Sequence, residues 1–223
     1  MANRGAFIVI DGTDGSGKAT QTKLLVERLK KEGKKVETIS FPQYGQKSAG
    51  LVEEYLSGKY GSAGDVGPYR ASAFYAVDRF DAAQKIRCWL ESGAIVVADR
   101  YVGSNMGHQG SKISDPAERM KFFEWEMHLE HELFGIPRPD VNVVLHIPSA
   151  IAAELMKNRA SKHGLKTDVH EADPRHLAAA EEAYLDMTRR FETFQLVECM
   201  ENGALLSPER VHQSVWQLVK PYA

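Results

Sequence analysis

Cysteine is scarce: the 223 residues contain two, Cys88 and Cys199, in no CxxC or other metal-ligand spacing. A disulfide framework and a cysteine metal site are thereby excluded. Both lie within apolar stretches, Cys88 before Trp89 and Leu90 and Cys199 after Leu196 and Val197, which reads as buried free thiols in a reducing compartment. An excess of one charge is also missing. Twenty-eight basic and 30 acidic residues leave a formal charge of −2, so no global positive field exists to hold a nucleic-acid backbone. The basic residues are scattered rather than gathered on one face, and no nucleic-acid partner is expected. Any phosphate must be bound locally. No stretch approaches about eighteen consecutive apolar residues, and the chain enters a strand-like run almost at once without a signal-like segment. No membrane partner and a cytoplasmic location are the expectation. Internal repeats and low-complexity segments are absent as well.

What is present is 43% apolar residues, enough for one sizeable core and one domain over 1–223. The run at 6–10 is continuously apolar and ends in Asp11-Gly12, as suits a strand buried on both faces. A helix is predicted over 18–32, with Leu24, Leu25 and Leu29 as its apolar stripe and Gly33 as its stop. Strands follow at 36–41, 94–98 and 141–145, with a weaker one at 196–199. Helical patterns fill 68–92, 115–134, 174–193 and 208–220. This alternation predicts an α/β fold, a doubly wound parallel five-stranded sheet flanked by helices, with ligands at the carboxyl ends of the strands. Residues 159–173 are charged, contain a glycine and have little apolar period, so they read as a surface loop.

The sharpest local signal is Gly12-Thr13-Asp14-Gly15-Ser16-Gly17-Lys18, between a predicted strand and a predicted helix, the setting a Walker A phosphate loop requires. Its backbone N–H groups and the helix N-terminus favour a β-phosphate, and Lys18 can bridge the β- and γ-phosphates. The fold is therefore expected to be of the P-loop NTPase type, and the nucleotide-binding residues to be Gly12 through Thr20. The motif calls for Ser or Thr after the lysine to ligate Mg²⁺, but Ala19 stands there; either Thr20 or water takes that role. Asp99-Arg100-Tyr101, directly after a strand, offers a carboxylate to Mg²⁺ and a guanidinium to phosphate, or else a salt-bridged loop start. An Asn-Lys-x-Asp guanine-reading segment is lacking, which argues against a GTPase switch.

With these residues the chain resembles the thymidylate kinase family. The match keeps its order over nearly the whole length: Asp14 in the phosphate loop, Phe41-Pro42 after the second strand, Phe74-Tyr75-Ala76-Val77-Asp78-Arg79, then Asp99-Arg100-Tyr101-Val102-Gly103-Ser104-Asn105. Gln109-Gly110, Trp125 and Pro137-Arg138-Pro139-Asp140 complete it. The resemblance implies transfer of the γ-phosphoryl group of ATP, with Mg²⁺, to dTMP, giving dTDP. It implies that Tyr75 stacks on thymine, that Arg79 contacts base or monophosphate, and that Arg100 holds the dTMP phosphate. Ser104, Asn105, His108 and Gln109 would line the nucleotide, and Phe41 and Pro42 would wall the sugar. A homodimer formed through helices is implied too.

Three positions depart from the family pattern. His108 stands where Tyr or Phe is usual near the 2′ position of the sugar, His146 replaces an aspartate, and Gly15 stands where one subgroup carries arginine. The charge that neutralises the moving phosphoryl group must then come from elsewhere, and the lid segment at about 159–173, which offers Arg159, Lys162 and Lys166, is the natural source; Arg159 is the expected one. That segment ends in Asp168-Val169-His170-Glu171, a partial match. Lys18, Arg100, Arg159 and Asp14 form the expected catalytic set, with Asp14 orienting the acceptor and Asp99 and Thr20 attending the metal. Two other functions fit the residues: a kinase for another nucleoside monophosphate or deoxynucleoside, and a nucleotide-binding module without turnover.

Overall fold

The computed structural model describes residues 4–163 and 174–223, with side chains omitted at the ends flanking 164–173. Five parallel strands, β1 (Phe7–Gly12), β2 (Val36–Ser40), β3 (Ile95–Asp99), β4 (Val141–His146) and β5 (Phe194–Glu198), stand in the order β2-β3-β1-β4-β5. Among the described residues eight α-helices accompany them: α1 (Lys18–Lys31), α2 (Gly50–Leu56), α3 (Ala63–Glu91), α4 (Val102–Gly110), α5 (Pro116–Met127), α6 (Ser149–His163), α7 (Pro174–Arg190) and α8 (Pro208–Val219).

The period of two in β1 explains why both faces are covered. Phe7 and Val9 point into a core shared with α3, α4, α5 and α7, whereas Ile8 and Ile10 point into a second core built with α1 and α8. A strand buried on both sides has no polar face to offer, hence its unbroken apolar run. On the second face Gln21 donates to the Pro208 carbonyl at 2.9 Å and the Arg28 guanidinium lies 3.8 Å over the Trp216 ring, tying α1 to α8.

The predicted five-stranded parallel sheet is present, and several boundaries differ. Helix α3 begins at Ala63 because Ser62 and Asp65 form a reciprocal capping box, and it kinks at Gly67 before Pro68. The pattern at 115–134 resolves into α5 followed by a π turn over His128–Leu133. The reading of 159–173 as loop is corrected at its start, because α6 continues through residues 159–163; the rest of that segment, with Lys166 and Asp168 to Glu171, lies outside the described residues. A short antiparallel hairpin of β6 (Met200–Glu201) and β7 (Ala204–Leu205) follows β5. One thiol is also corrected: Cys199 is buried but Cys88 is exposed on α3.

Candidate active site

The site lies where β1 and β3 end side by side, with Ile10 in register with Asp99. From β1 the chain turns into the phosphate loop. Gly12 has a φ of 134°, and a Cβ there would stand 2.4 Å from the Leu145 carbonyl oxygen. Only glycine lets β1 leave the sheet so close to β4. Gly15 has a φ of 82°, and a Cβ would lie 2.9 Å from the Ala152 carbonyl oxygen. The structure thus gives a local reason for glycine at 15: an arginine there would be strained in its backbone and crowded by α6.

Lys18 opens α1 and turns back over the loop. Its Nζ donates to the carbonyls of Gly12 at 3.0 Å and Thr13 at 2.8 Å and stands 3.5 Å from Asp14 Oδ1. Burial and the nearby Arg100 guanidinium lower its ammonium to about 8. Ser16 Oγ and Thr13 Oγ1 are buried without a hydrogen-bond partner, leaving acceptor and donor capacity inside the cradle. Ala19 and Asp99 line one groove together with Thr22 and Ser40, while Thr20 is exposed on α1.

From β3 the chain passes into Arg100, whose φ of 68° is left-handed. Such a backbone in a residue other than glycine marks a position held by its surroundings. Here the holding groups are visible. Arg100 Nη2 donates to Asp14 Oδ1, and Nη1 lies 3.4 Å from Ser104 Oγ and 3.2 Å from His108 Nε2. Burial opposes ionisation of Asp14, but Arg100 and Lys18 together overwhelm it and hold the carboxyl well below the usual range.

A cleft of about 280 Å³ opens beside this cluster. Its lining brings together all the residues expected to form the acceptor pocket: Phe41, Pro42, Tyr75, Arg79, Arg100, Ser104, Asn105, His108 and Gln109, with Asp14 at the mouth. Tyr75 rather than Phe74 lines it; Phe74 packs instead against Tyr55 and Tyr60. The Phe41-Pro42 wall is anchored by Asp78, which accepts from the Gln43 backbone N–H at 2.8 Å and from Ser48 Oγ at 2.7 Å. Arg79 is 2% exposed and paired bidentately with Glu130, and Asn105 Nδ2 donates to Glu126 Oε1 at 2.5 Å. Gln109 Oε1 accepts from Lys112 Nζ at 2.6 Å.

Sequence reasoning missed three members of the network. Asp11 is fully buried behind the phosphate loop, where burial raises its carboxyl; Ser104 donates to its Oδ1 at 2.5 Å and its Oδ2 has no partner. Tyr184 on α7 donates to Ser104 Oγ at 3.2 Å, and His176, also on α7, faces His108. Asp11 stood in plain view beside the loop, but its partner lies 93 residues away. The backbone of Arg159 is on α6, and its side chain lies outside the described residues.

A parallel sheet with a phosphate cradle at its centre, adjoined by a nucleotide-sized cleft with an arginine at the junction, defines an ATP-dependent nucleoside monophosphate kinase. A family model for thymidylate kinase matches residues 10–214. Thymidylate kinase of Mycobacterium tuberculosis is 32% identical over 75% of this chain and 78% of its own, and a probable thymidylate kinase of Thermococcus onnurineus is 31% identical over 96% and 97%. A solved thymidylate kinase structure from Candida albicans superposes with a TM-score of 0.74, covering 98% of this chain and 92% of its own; at 21% identity it speaks for the fold. The chain belongs to the thymidylate kinase family, and thymidylate kinase is its function.

Proposed function

We propose that the residues assembled here carry out transfer of the γ-phosphoryl group of ATP to dTMP as follows. The observation that carries the reading is the place of Arg100, bonded to Asp14 of the phosphate loop while lining the acceptor cleft. One guanidinium thus belongs to both halves of the site. Donor and acceptor must meet in line, and charge on the phosphoryl oxygens must be cancelled. Lys18 and the loop N–H groups hold the donor phosphates, and Arg100 holds the dTMP phosphate. Asp14 keeps Arg100 oriented without taking a proton, since its carboxyl is far too acidic for that task. No general base is required because the acceptor phosphate oxygen is already ionised near neutral pH. Tyr75 offers its ring to the base, Phe41 and Pro42 wall the sugar, and Ser104, Asn105, His108 and Gln109 complete the cleft. Arg79 is neutralised by Glu130 and serves as a fixed donor beside the base. Arg159 is the proposed lid cation.

The residues fit Mg²⁺ in one way. Among the described residues no group of three or more His, Cys, Asp or Glu side chains forms a cage, which matches an ion that keeps its waters and binds through substrate phosphates. Asp99, in the groove beside Ala19, would hold those waters, with the unpartnered Ser16 hydroxyl facing the cradle; Thr20, exposed on α1, is the weaker candidate. The ion would supply charge neutralisation between the β- and γ-phosphates.

A homodimer is part of the proposal. Val77 and Phe80, one turn apart on α3, are 39% and 55% exposed, and Leu133, next in the chain to the Phe134 on which Phe80 packs, is 66% exposed. The unpaired thiols suit a reducing cytoplasm, and among the described residues no helix is long and apolar enough to cross a membrane. The test is ADP production from ATP and Mg²⁺ with dTMP, dUMP, UMP or thymidine as acceptor. Turnover with dTMP is expected to fall by about 10²-fold or more in Lys18→Ala. Preference for another acceptor, or turnover untouched by the substitution, would overturn the reading.

A further inference from the structure

The hydrogen bonds around His108 can be satisfied in one direction only. An arginine has donors and no acceptor, so Arg100 Nη1, 3.2 Å from His108 Nε2, needs a lone pair on that nitrogen. The proton of a neutral His108 must then sit on Nδ1. Nδ1 faces His176 Nε2 at 3.5 Å, which in turn must be an acceptor, leaving the His176 proton on its own Nδ1. That nitrogen is 3.3 Å from Ser111 Oγ, whose single proton is already given to the His108 carbonyl oxygen at 2.7 Å. The chain of protons runs from Arg100 through His108, His176 and Ser111 and closes on the residue it passed through. The two rings are near parallel, 16° apart with centroids 5.8 Å apart, which lets nitrogen edges face each other.

The opposite tautomer places an N–H of His108 against the N–H groups of Arg100. Protonation does the same, and burial, aided by Arg100, lowers the imidazole to about 3, although Asp14 Oδ2 lies 3.9 Å away. His108 is therefore a neutral acceptor whose usefulness depends on where its proton is kept.

We propose that His176 is a positioning residue that locks the tautomer of His108 and through it the guanidinium of Arg100, coupling α7 to the junction between the two nucleotide sites. His176 touches neither nucleotide in this scheme. The inference rests on the proposed role of Arg100, but its first readout does not. It also gives His108 a purpose beyond lining the acceptor cleft. An aromatic phenol at 108 would need no such partner, whereas an imidazole does.

Imidazole ¹⁵N spectra of the intact enzyme read the tautomer directly. The expected result is a His108 protonated on Nδ1 alone in the unaltered chain and a mixture of Nδ1 and Nε2 forms in His176→Phe, which keeps a ring but offers no acceptor, so that Arg100 is left as the one group favouring Nδ1. His176→Gln supplies a carbonyl oxygen in place of Nε2 and is expected to restore the Nδ1 proton. In turnover assays kcat/KM for dTMP is expected to fall about tenfold in His176→Phe and to return to within about threefold in His176→Gln, since small misplacement of an orienting group is costly. A His108 protonated on Nε2 in the unaltered enzyme overturns the proposal. So does a His176→Gln no better than His176→Phe when both fold as the parent does. Should His176→Phe fail to fold, the parent spectrum and His176→Gln decide alone. The expected tautomer together with no dTMP turnover would fault the kinase reading and leave the lock standing.

Discussion

Arg79 is buried with two carboxylates, and one positive charge cannot neutralise both. Glu130 holds the guanidinium bidentately, while Glu126 Oε1 stands 3.8 Å from Nη2, and both acids are 0% exposed. Burial first, and the neighbouring Glu130 second, push the Glu126 carboxyl well up, so it is the one that keeps its proton. The pair therefore holds a reserve. In Glu130→Gln the remaining acid can ionise and take over the guanidinium, so the loss of stability is expected to be modest, about 1–3 kcal/mol. Glu126→Gln replaces a neutral acid by an isostere and should cost less. The double variant leaves a buried cation with no counter-charge, at about 3–5 kcal/mol, more than the two singles combined. Urea unfolding of the four proteins checks this; strict additivity would mean that Glu126 offers no reserve.

Helix α7 is tied to the sheet by a second histidine. His146, at the end of β4, bonds Glu198 of β5 through Nδ1 at 2.6 Å and Glu181 of α7 through Nε2 at 2.9 Å, while Glu181 also accepts from the Ser149 backbone N–H at 2.8 Å. Burial works against the charged ring, but the bonds to Glu181 and Glu198 outweigh it and raise its pKa above the ordinary 6.5. A raised histidine contributes stability that is fully present below about pH 6.5 and is lost as pH rises through the folded value. Glu181 is lowered despite its burial, chiefly by His146, so its share is lost only as pH falls below the usual 4.5. The clasp is therefore strongest between these limits. Melting temperature is expected to decline from pH 6 toward about pH 8.5 more steeply in the parent than in His146→Asn; equal slopes would show that the clasp contributes nothing.

What the sequence disclosed at this scale follows from range of interaction. The strands β1, β3 and β4 were legible because burial on both faces leaves a nearly unbroken apolar run, and the phosphate loop because its glycines answer to local backbone geometry. Helix α4 was not. Its Gly103, Gly107 and Gly110 argue against a helix, yet a Cβ on Gly107 would come within 2.6 Å of the Tyr184 ring and one on Gly103 within 2.6 Å of Asp11 Oδ2. The glycines are there so that α4 can press against α7 and β1, a demand made by residues far away in the chain. His176 and Tyr184 were hidden for the same reason. The acceptor pocket was legible through family resemblance, but the ion pair beneath Arg79 and the proton order around His108 need the third dimension.

At the scale of the whole molecule, Val77 and Phe80 of α3 form an exposed apolar patch with Leu133, the residue before Phe134, and Phe80 is held against Phe134 with ring centroids 5.6 Å apart. Covering such a patch is what a subunit interface does. Phe80→Glu is expected to convert dimers into monomers in sedimentation velocity while leaving the fold intact; a parent that sediments as a monomer, or a dimer indifferent to the change, would refute the proposed assembly.

The unequal exposure of the two cysteines makes the protein its own reporter. Cys88 meets solvent from α3, whereas Cys199 is enclosed and burial pushes its thiol up to about 12, far from the thiolate that alkylating reagents consume. One equivalent of maleimide per folded chain should therefore attach quickly, and a second only after denaturation, without any cysteine being removed or added. A dye or spin label placed in this way sits on the same helix as Tyr75 and Arg79 of the acceptor cleft, and can follow nucleotide binding and assembly in an otherwise unaltered enzyme.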